Sequence, residues 1–460
     1  MTPERPDPAR SRTRETLAVV LPLMLATFTG TLCDFACTVF AARFSHDVMC
    51  AALPAAAIAA TFTAFLSAVV AIAGTIVARE HGAGEHARAQ TAFRQGLLLA
   101  VLTAPLFLLA VPAGDSILGL AAHSDAMRPL EHVFLRYQLG AGFFVVLYTA
   151  LAGLFSGQGR TGIISATSVA GSAVSAILSA VLIGGFDGMP ALGIHGLGIA
   201  ALAGKAVACL SLMPSLFKDP LFPRGRGIGG LFAPDKPVVR EIVRKGLPAG
   251  VSVLVLSGAF MLFTLVTGRL DAVSVAAVNI CIAVNGFYWV FVLAAEQAVT
   301  ILAGRALGAD DVQGARAAVR KVAMILSVPI TCFCIVCLAA TDAITAIFHA
   351  PGADVDMAAL TSTVRWFIAA FIVRDILEAG CHLLSGALTA ALDTGAILAA
   401  RLAANVIWIA LVAVAFFLRP ALSSYAALAP VQMAMVFVPL LLRWHRCWKR
   451  AAGHLPSQKA

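Results

Sequence analysis

The sequence predicts an all-α integral membrane protein with about twelve transmembrane helices in two six-helix repeats. Of its 460 residues, 60% are hydrophobic and 12% are charged, whereas a soluble domain carries about 25% charged residues. Long apolar runs recur along the chain, and a helix needs about 20 mainly apolar residues to cross a bilayer. The period-two alternation of transmembrane β-strands is absent. A Leu-Pro pair also occurs twice, with Pro22 and Pro248 lying 226 positions apart.

The first half, residues 1–216, contains six of the predicted spans. They are 17–42, 49–78, 93–113, 134–156, 162–186 and 193–216. Residues 1–16 are rich in arginine and proline and lack an Ala-x-Ala cleavage site, so we interpret them as a cytoplasmic tail.

A linker, residues 217–244, separates the halves. Its core, 218–241, contains four prolines and four glycines and no long apolar run, which is typical of a connecting segment. The second half, residues 245–460, contains the other six spans. They are 245–268, 273–303, 322–348, 362–388, 394–418 and 421–443.

Further landmarks repeat between the halves. At the spacing of 226, Arg43, Arg79, Gly82, Ala83, Ala89 and Arg94 return as Arg269, Arg305, Gly308, Ala309, Ala315 and Arg320. Duplication of an apolar chain is typical of secondary transporters. Because each half has six spans, the halves insert in the same orientation, which predicts a pseudo-two-fold axis along the membrane normal.

The distribution of lysine and arginine predicts the orientation in the membrane. With the N-terminus inside, the inner segments hold roughly four times as many basic residues as the outer ones. Both termini are therefore predicted to be cytoplasmic, at a bacterial inner (plasma) membrane. The net charge of +9 is interpreted as topology and contact with anionic lipid, and no nucleic-acid partner is expected.

Cysteine usage indicates neither a disulfide framework nor a metal site. Most of the ten cysteines fall in predicted spans. On a helix, Cys332 and Cys334 point about 200° apart and do not share one ion.

Several loop motifs carry a family resemblance. The loops after the second and eighth spans read HGAGEHARAQTAFR and LGADDVQGARAAVR. The turns after the fourth and tenth spans read GLFSGQGRTG and GALTAALDTG, and MPALGIHGLGIAAL precedes the sixth span. In this order and at these spacings, the chain resembles the MATE (multidrug and toxic compound extrusion) transporters over about residues 14–443.

The resemblance implies a secondary active antiporter, not an enzyme. It implies export of organic, cationic compounds in exchange for protons by alternating access. Leu256 stands where the sodium-binding branch often has glutamate, so H⁺ is the expected coupling ion, with Na⁺ as the alternative. No cofactor is expected, and the expected partners are a small-molecule substrate and membrane lipids, with the protein a monomer.

Ionisable groups within the spans are the candidate site residues, because a charge at mid-bilayer costs about 2.5–3.5 kcal/mol on insertion scales. They are Asp34 in the first span, Glu296 in the eighth, and Arg374, Asp375, Glu378 and His382 in the tenth. Arg374, Glu378 and His382 share one helix face because they are spaced by four residues. Lys205 and Arg401 are the other intramembrane charges, and Arg401 is expected to reach the cytoplasmic interface.

The resemblance also assigns positions on the first and tenth spans. Glu378 stands at the family's tenth-helix acid, and Arg374 replaces an aromatic residue one turn earlier. Arg374 either pairs with Glu378 or pairs with Asp375 and leaves Glu378 free. Thr38 stands at the family's first-helix aspartate, and Asp34 lies one turn earlier on the same face as its candidate replacement.

Six residues of the eighth span are candidates for one wall of the site: Asn279, Asn285, Tyr288, Trp289, Glu296 and Gln297. For Tyr288 and Trp289, packing or anchoring at the membrane interface is the alternative. Three other functions stay open. They are a sodium-coupled exporter of the same family, a lipid-linked precursor or polysaccharide flippase of the wider superfamily, and an intramembrane enzyme. The enzyme would use Asp375, Glu378 and His382 together.

Overall fold

Helices follow one another along almost the whole chain. The computed structural model describes residues 8–120, 127–185, 190–222, 233–267, 270–347, 356–418 and 422–453, and these contain no strand. The predicted all-α class is confirmed. The helices are α1 (Pro8–Phe44), α2 (His46–Gly82), α3 (His86–Leu102), α4 (Ala104–Leu120), α5 (Arg128–Gly157), α6 (Thr161–Gly184), α7 (Ile194–Ser211), α8 (Met213–Lys218), α9 (Lys236–Thr267), α10 (Ala272–Gly308), α11 (Val312–Ala339), α12 (Thr341–Ile347), α13 (Met357–Ala390), α14 (Thr394–Leu418) and α15 (Leu422–Gly453).

Three of the predicted spans are each built from two consecutive helices. The third span is α3 and α4, the sixth is α7 and α8, and the ninth begins in α11 and continues into α12. Pro105 and Pro214 lie in the first turn of the helices that follow the first two breaks. A proline is tolerated there because its missing N–H has no partner within the helix, whereas inside a continuous helix it would remove a hydrogen bond.

Among the described residues, eleven helical segments are long and apolar enough to cross a membrane. The predicted tenth span, in α13, is not one of the eleven, because it carries the charges of Arg374, Asp375 and Glu378. With 34 residues, α13 is about 50 Å long at ~1.5 Å per residue. That length exceeds the ~30 Å hydrocarbon core of a bilayer.

Some sequence predictions lie outside the described residues. These are Arg269 in the repeat, residues 1–7 of the tail and residues 223–232 of the linker. The linker boundaries stay a prediction.

Acidic residues begin several helices. The Asp271 carboxylate precedes α10 and accepts hydrogen bonds from the Ser274 amide at 3.0 Å and the Ser274 hydroxyl at 2.7 Å. These bonds lower the pKa of Asp271. The Asp356 carboxylate begins α13 in the same way, accepting from the amides of Ala358 and Ala359. Such caps satisfy amides that have no partner within the helix.

The chain forms two compact units. The first is Met1–Val253 with Gly304–Asp310, and the second is Leu254–Ala303 with Asp311–Ala460. In the first unit, α2 and α5 cross where Gly74 meets Gly153, and a Cβ at Gly74 would lie 2.9 Å from the Gly153 Cα. Small residues allow this close backbone contact, which is a common basis of helix packing in membranes.

In the second unit, α10 and α13 also approach closely. A Cβ at Gly386 would lie 2.6 Å from the carbonyl oxygen of Glu296. Phe367, Trp408 and Tyr425 are buried in the core of this unit. The close approach holds the polar residues of α10 against the charged face of α13.

Candidate functional site

A buried ion triad lies on α13. The Arg374 guanidinium donates from Nη1 to Asp375 Oδ1 and from Nη2 to Glu378 Oε1, each at 2.8 Å. The exposed fractions of the three side chains are 12%, 7% and 1%. The sequence left two pairings open, and the structure combines them, because one guanidinium serves both carboxylates.

Residues of α10 complete the surroundings of Asp375. The Asn285 side-chain amide donates to Asp375 Oδ2 at 3.0 Å, and the Tyr288 hydroxyl donates to the Asp375 backbone carbonyl. Both carboxylate oxygens of Asp375 are therefore engaged. By contrast, Glu378 Oε2 is buried and has no hydrogen-bond partner among the described residues.

One turn further along α13, His382 pairs with α10. Its Nδ1 lies 2.5 Å from Glu296 Oε2, and the Trp289 indole packs edge-on against the imidazole with ring centroids 5.3 Å apart. The His382 side chain is 5% exposed and that of Glu296 is 28% exposed. The carboxylates of the triad are thus almost completely buried, whereas the Glu296 side chain is partly exposed.

The prediction that Arg401 reaches the membrane interface is wrong. Arg401 is buried, and its Nη2 lies 3.4 Å from the Ser385 hydroxyl. The Asn405 amide donates to the Arg401 carbonyl, and Gln432 donates to Asn405. Arg401 therefore adds a positive charge to the interior of the second unit.

A small cavity adjoins the triad within the second unit. Asp375 and Asn285 form its polar part, and Phe333 and Phe371 are among its apolar lining residues. Phe371 also packs under Arg374, whose guanidinium carbon is 5.1 Å from the ring centroid. The cavity therefore combines one carboxylate with an apolar, partly aromatic wall.

Asp34 and Thr38 belong to the first unit and lie on α1. Both side chains are exposed, and the Thr38 hydroxyl donates to the Asp34 backbone carbonyl at 2.9 Å. Lys205 on α7 interacts electrostatically with Asp34. Beside them, the Cys37 thiol contacts the Ser179 hydroxyl at 3.2 Å.

The remaining predicted wall residues separate into two groups. Asn285 and Glu296 face the charged residues of α13, whereas Asn279 and Gln297 are exposed. The catalytic set required by the enzyme reading is not assembled, because His382 pairs with Glu296.

Sequence reasoning missed Ser385, whereas it named Tyr288 and Trp289 as wall candidates with a packing or interface role as the alternative. Tyr288 and Trp289 follow Asn285 on α10 by three and four residues, a spacing that places them near the same helix face. Ser385 follows His382 by three residues. This helical periodicity was the available signal.

The interactions that the site can make with a ligand are mainly electrostatic. Among the described residues, no group of three or more His, Cys, Asp or Glu side chains is arranged to hold a metal ion. We count only the interior charges of the site and take His382 as neutral. The site then has three carboxylates (Asp375, Glu378 and Glu296) and two guanidinium groups (Arg374 and Arg401). The balance is one negative charge, which one proton or one cationic ligand neutralises.

The MatE family model matches the chain twice, over residues 22–182 and 248–414. The two matches begin at the prolines of the repeated Leu-Pro pairs, so the family match has the spacing of the internal repeat.

Two similar proteins are described as probable multidrug resistance protein NorM. One, from Rhizobium meliloti, is 30% identical over 264 residues, covering 55% of this chain and 54% of its own length. The other, from Bradyrhizobium diazoefficiens, is 28% identical over 318 residues, covering 68% of this chain and 66% of its own length. The chain thus matches less than two thirds of either relative's length.

The fold also matches a solved structure. A crystal structure of MATE in the straight conformation superposes with a TM-score of 0.84 at 18% identity, covering 96% of this chain and 97% of that one. Because the family model covers more than half of the chain and the helices match in fold, this integral membrane protein belongs to the MATE family of multidrug efflux transporters.

Proposed function

We propose that the protein exports organic cations in exchange for protons by alternating access. The carrying observation is the charge balance of the second unit. Its interior holds three carboxylates, two of them buried, and two arginines, and one of these carboxylates, Asp375, lines a partly aromatic cavity. A single excess negative charge in a low-dielectric interior attracts either a cationic substrate or a proton.

Competition for that charge produces exchange. A bound proton neutralises the site and weakens its hold on a cation, so the substrate leaves on the side where protons are abundant. Loss of the proton on the other side restores the charge and with it the affinity for substrate. The membrane potential adds about 2.3 kcal/mol per net charge per 100 mV.

The same proposal covers location and partners. We infer a bacterial inner membrane with both termini in the cytoplasm, contact with anionic lipid and a monomeric transporter without a cofactor. The basic inner segments and the twofold family match support this inference.

Flux measurements in everted vesicles test the coupling. An imposed pH gradient, without sodium, should drive uptake of a cationic dye by the parent protein. Glu378→Gln should weaken dye binding, because it removes the excess negative charge. Asp34→Asn tests the acid of the first unit, and Asp342→Asn, at an exposed acid paired with Arg365, is the matched control.

Three outcomes are informative. Flux with a sodium gradient alone would replace the proposal with the sodium-coupled alternative. Parent flux that ignores both gradients would contradict antiport altogether. Loss of coupling in Asp34→Asn, with Glu378→Gln unaffected, would move the ion site to the first unit.

A further inference from the structure

The triad on α13 is poorly suited to gain and lose a proton. Each of its carboxylates accepts a 2.8 Å hydrogen bond from Arg374, and Asp375 accepts a second from Asn285. Protonating either acid would break a charge-assisted bond and leave part of a buried guanidinium without its partner, which is costly. The triad is therefore a fixed electrostatic element.

The Glu296–His382 pair has the opposite character. No arginine hydrogen-bonds to it among the described residues, and the Glu296 side chain is 28% exposed. Imidazole is also the side chain whose ordinary titration falls between about pH 5 and 8. We propose that the exchanged proton is carried by the Glu296–His382 pair, an assignment that rests on the proposed proton-coupled function.

The protonation step follows from the contact. With Nδ1 facing Glu296 Oε2, the neutral ring keeps its proton on Nδ1 and donates to the carboxylate. The arriving proton comes from a hydronium ion and binds the Nε2 lone pair, forming an N–H bond as one O–H bond of the hydronium breaks and neutral water is left. The pair then changes from one negative charge to none.

Several charged and titratable groups surround the Glu296–His382 pair. On α13, Glu378 lies one turn before His382, and Cys381 is the neighbouring thiol. From α14, Arg401 interacts electrostatically with Glu296. Trp289 from α10 packs on the imidazole and limits its rotation.

Glu378 belongs to the triad and lies one helical turn before His382. Its Oε2 is buried without a hydrogen-bond partner among the described residues. A positive charge gained by His382 would therefore arise one turn from the triad.

Tryptophan fluorescence tests the proposal without transport. A protonated imidazole quenches an indole that it touches, so the purified protein should show a step in tryptophan fluorescence during a pH titration. The step should disappear in His382→Gln and in Trp289→Phe. His445→Gln, at an exposed histidine on α15, is the matched control and should leave it unchanged. A step that persists in His382→Gln would overturn the assignment.

Transport separates this assignment from the proposed function. In proteoliposomes, His382→Gln should lose dye flux driven by a pH gradient but keep dye-for-dye counterflow, which needs no proton and shows that the variant is folded. If the parent couples to the pH gradient and His382→Gln couples equally well, the pair is not the carrier although the function stands. If the parent itself does not couple, the function fails.

Discussion

Arg374 neutralises much of the negative charge that α13 carries inside the second unit. It bonds two buried carboxylates with one planar guanidinium, and its stem lies over Phe371. Lysine does not reproduce this geometry, because its single ammonium cannot make two parallel, planar contacts. The departure from the family's aromatic residue at this position therefore changes the electrostatics of the tenth span.

Arg374→Gln should be strongly destabilising. It leaves Asp375 and Glu378 buried without their counter-ion, and breaking a buried pair in this way costs about 3–5 kcal/mol. Thermal unfolding of the detergent-solubilised protein should show a marked fall in Tm. Adding Asp375→Asn and Glu378→Gln to the same chain should recover part of the loss, because the uncompensated charges are then gone.

The matched control is Arg365→Gln on the same helix. Arg365 pairs with Asp342, and both side chains are more than half exposed, so the pair contributes only about 0–1 kcal/mol. Equal Tm values for the Arg374 and Arg365 variants would show that the triad is not a stabilising ion cluster.

At the scale of helices, the repeat produces a reciprocal contact within the first unit. A Cβ at Gly82, at the end of α2, would lie 2.0 Å from the Arg305 carbonyl oxygen. A Cβ at Gly308, at the end of α10, would lie 1.8 Å from the Arg79 carbonyl oxygen. Gly82 and Gly308 are repeat-related, and so are Arg79 and Arg305. Two equivalent helix ends therefore meet backbone to backbone.

Gly308→Ala should disrupt this crossing, because the methyl group collides with backbone that has no rotamer to change. Overpacking typically costs about 1–3 kcal/mol, and a lower Tm should report it. Gly286→Ala is the control on the same helix, since a Cβ there meets nothing within 4 Å. If Gly308→Ala unfolds at the parent temperature, the helix ends are not in contact.

The turns after the fourth and tenth spans show how the repeats have diverged. In the first unit, Arg160 follows α5 and pairs with Asp219 at 2.7 Å. In the second unit, Asp393 follows α13 and pairs with Arg443 at 2.6 Å. In both halves, the turn forms an ion pair with a later segment of the same unit. The turn supplies the arginine in the first half and the aspartate in the second half.

At the scale of the whole molecule, the sequence predicted the helices well and the site in part. Apolar length and the repeat are properties of the chain itself, so the spans are readable without tertiary knowledge. Contacts such as His382 with Glu296, 86 residues apart, depend on how α10 packs on α13. Arg401 was misassigned for the same reason, because its distance from a helix end does not reveal that Ser385 and neighbouring helices bury it.

Pairing between loops and helix ends supports the predicted alternation of the spans. Glu15 meets Arg305, and Arg160 meets Asp219, and all four residues are predicted to lie inside. On the opposite side, Arg365 meets Asp342, and Tyr137 and His195 lie 3.3 Å apart. Each contact joins segments assigned to the same face of the membrane.

The alternation of the spans does not say which face of the membrane is cytoplasmic. The basic residues predict that orientation, and reporter fusions test it. A fluorescent protein that folds only in the cytoplasm should be bright when fused after Lys218 or Ala460 and dark after Gly185. An alkaline phosphatase, active only outside, should give the reverse pattern. Since about a four-to-one excess of Lys and Arg retains these segments inside, a bright fusion after Gly185 together with a dark fusion after Lys218 would invert the topology. The direction of export inferred for the site would then invert as well.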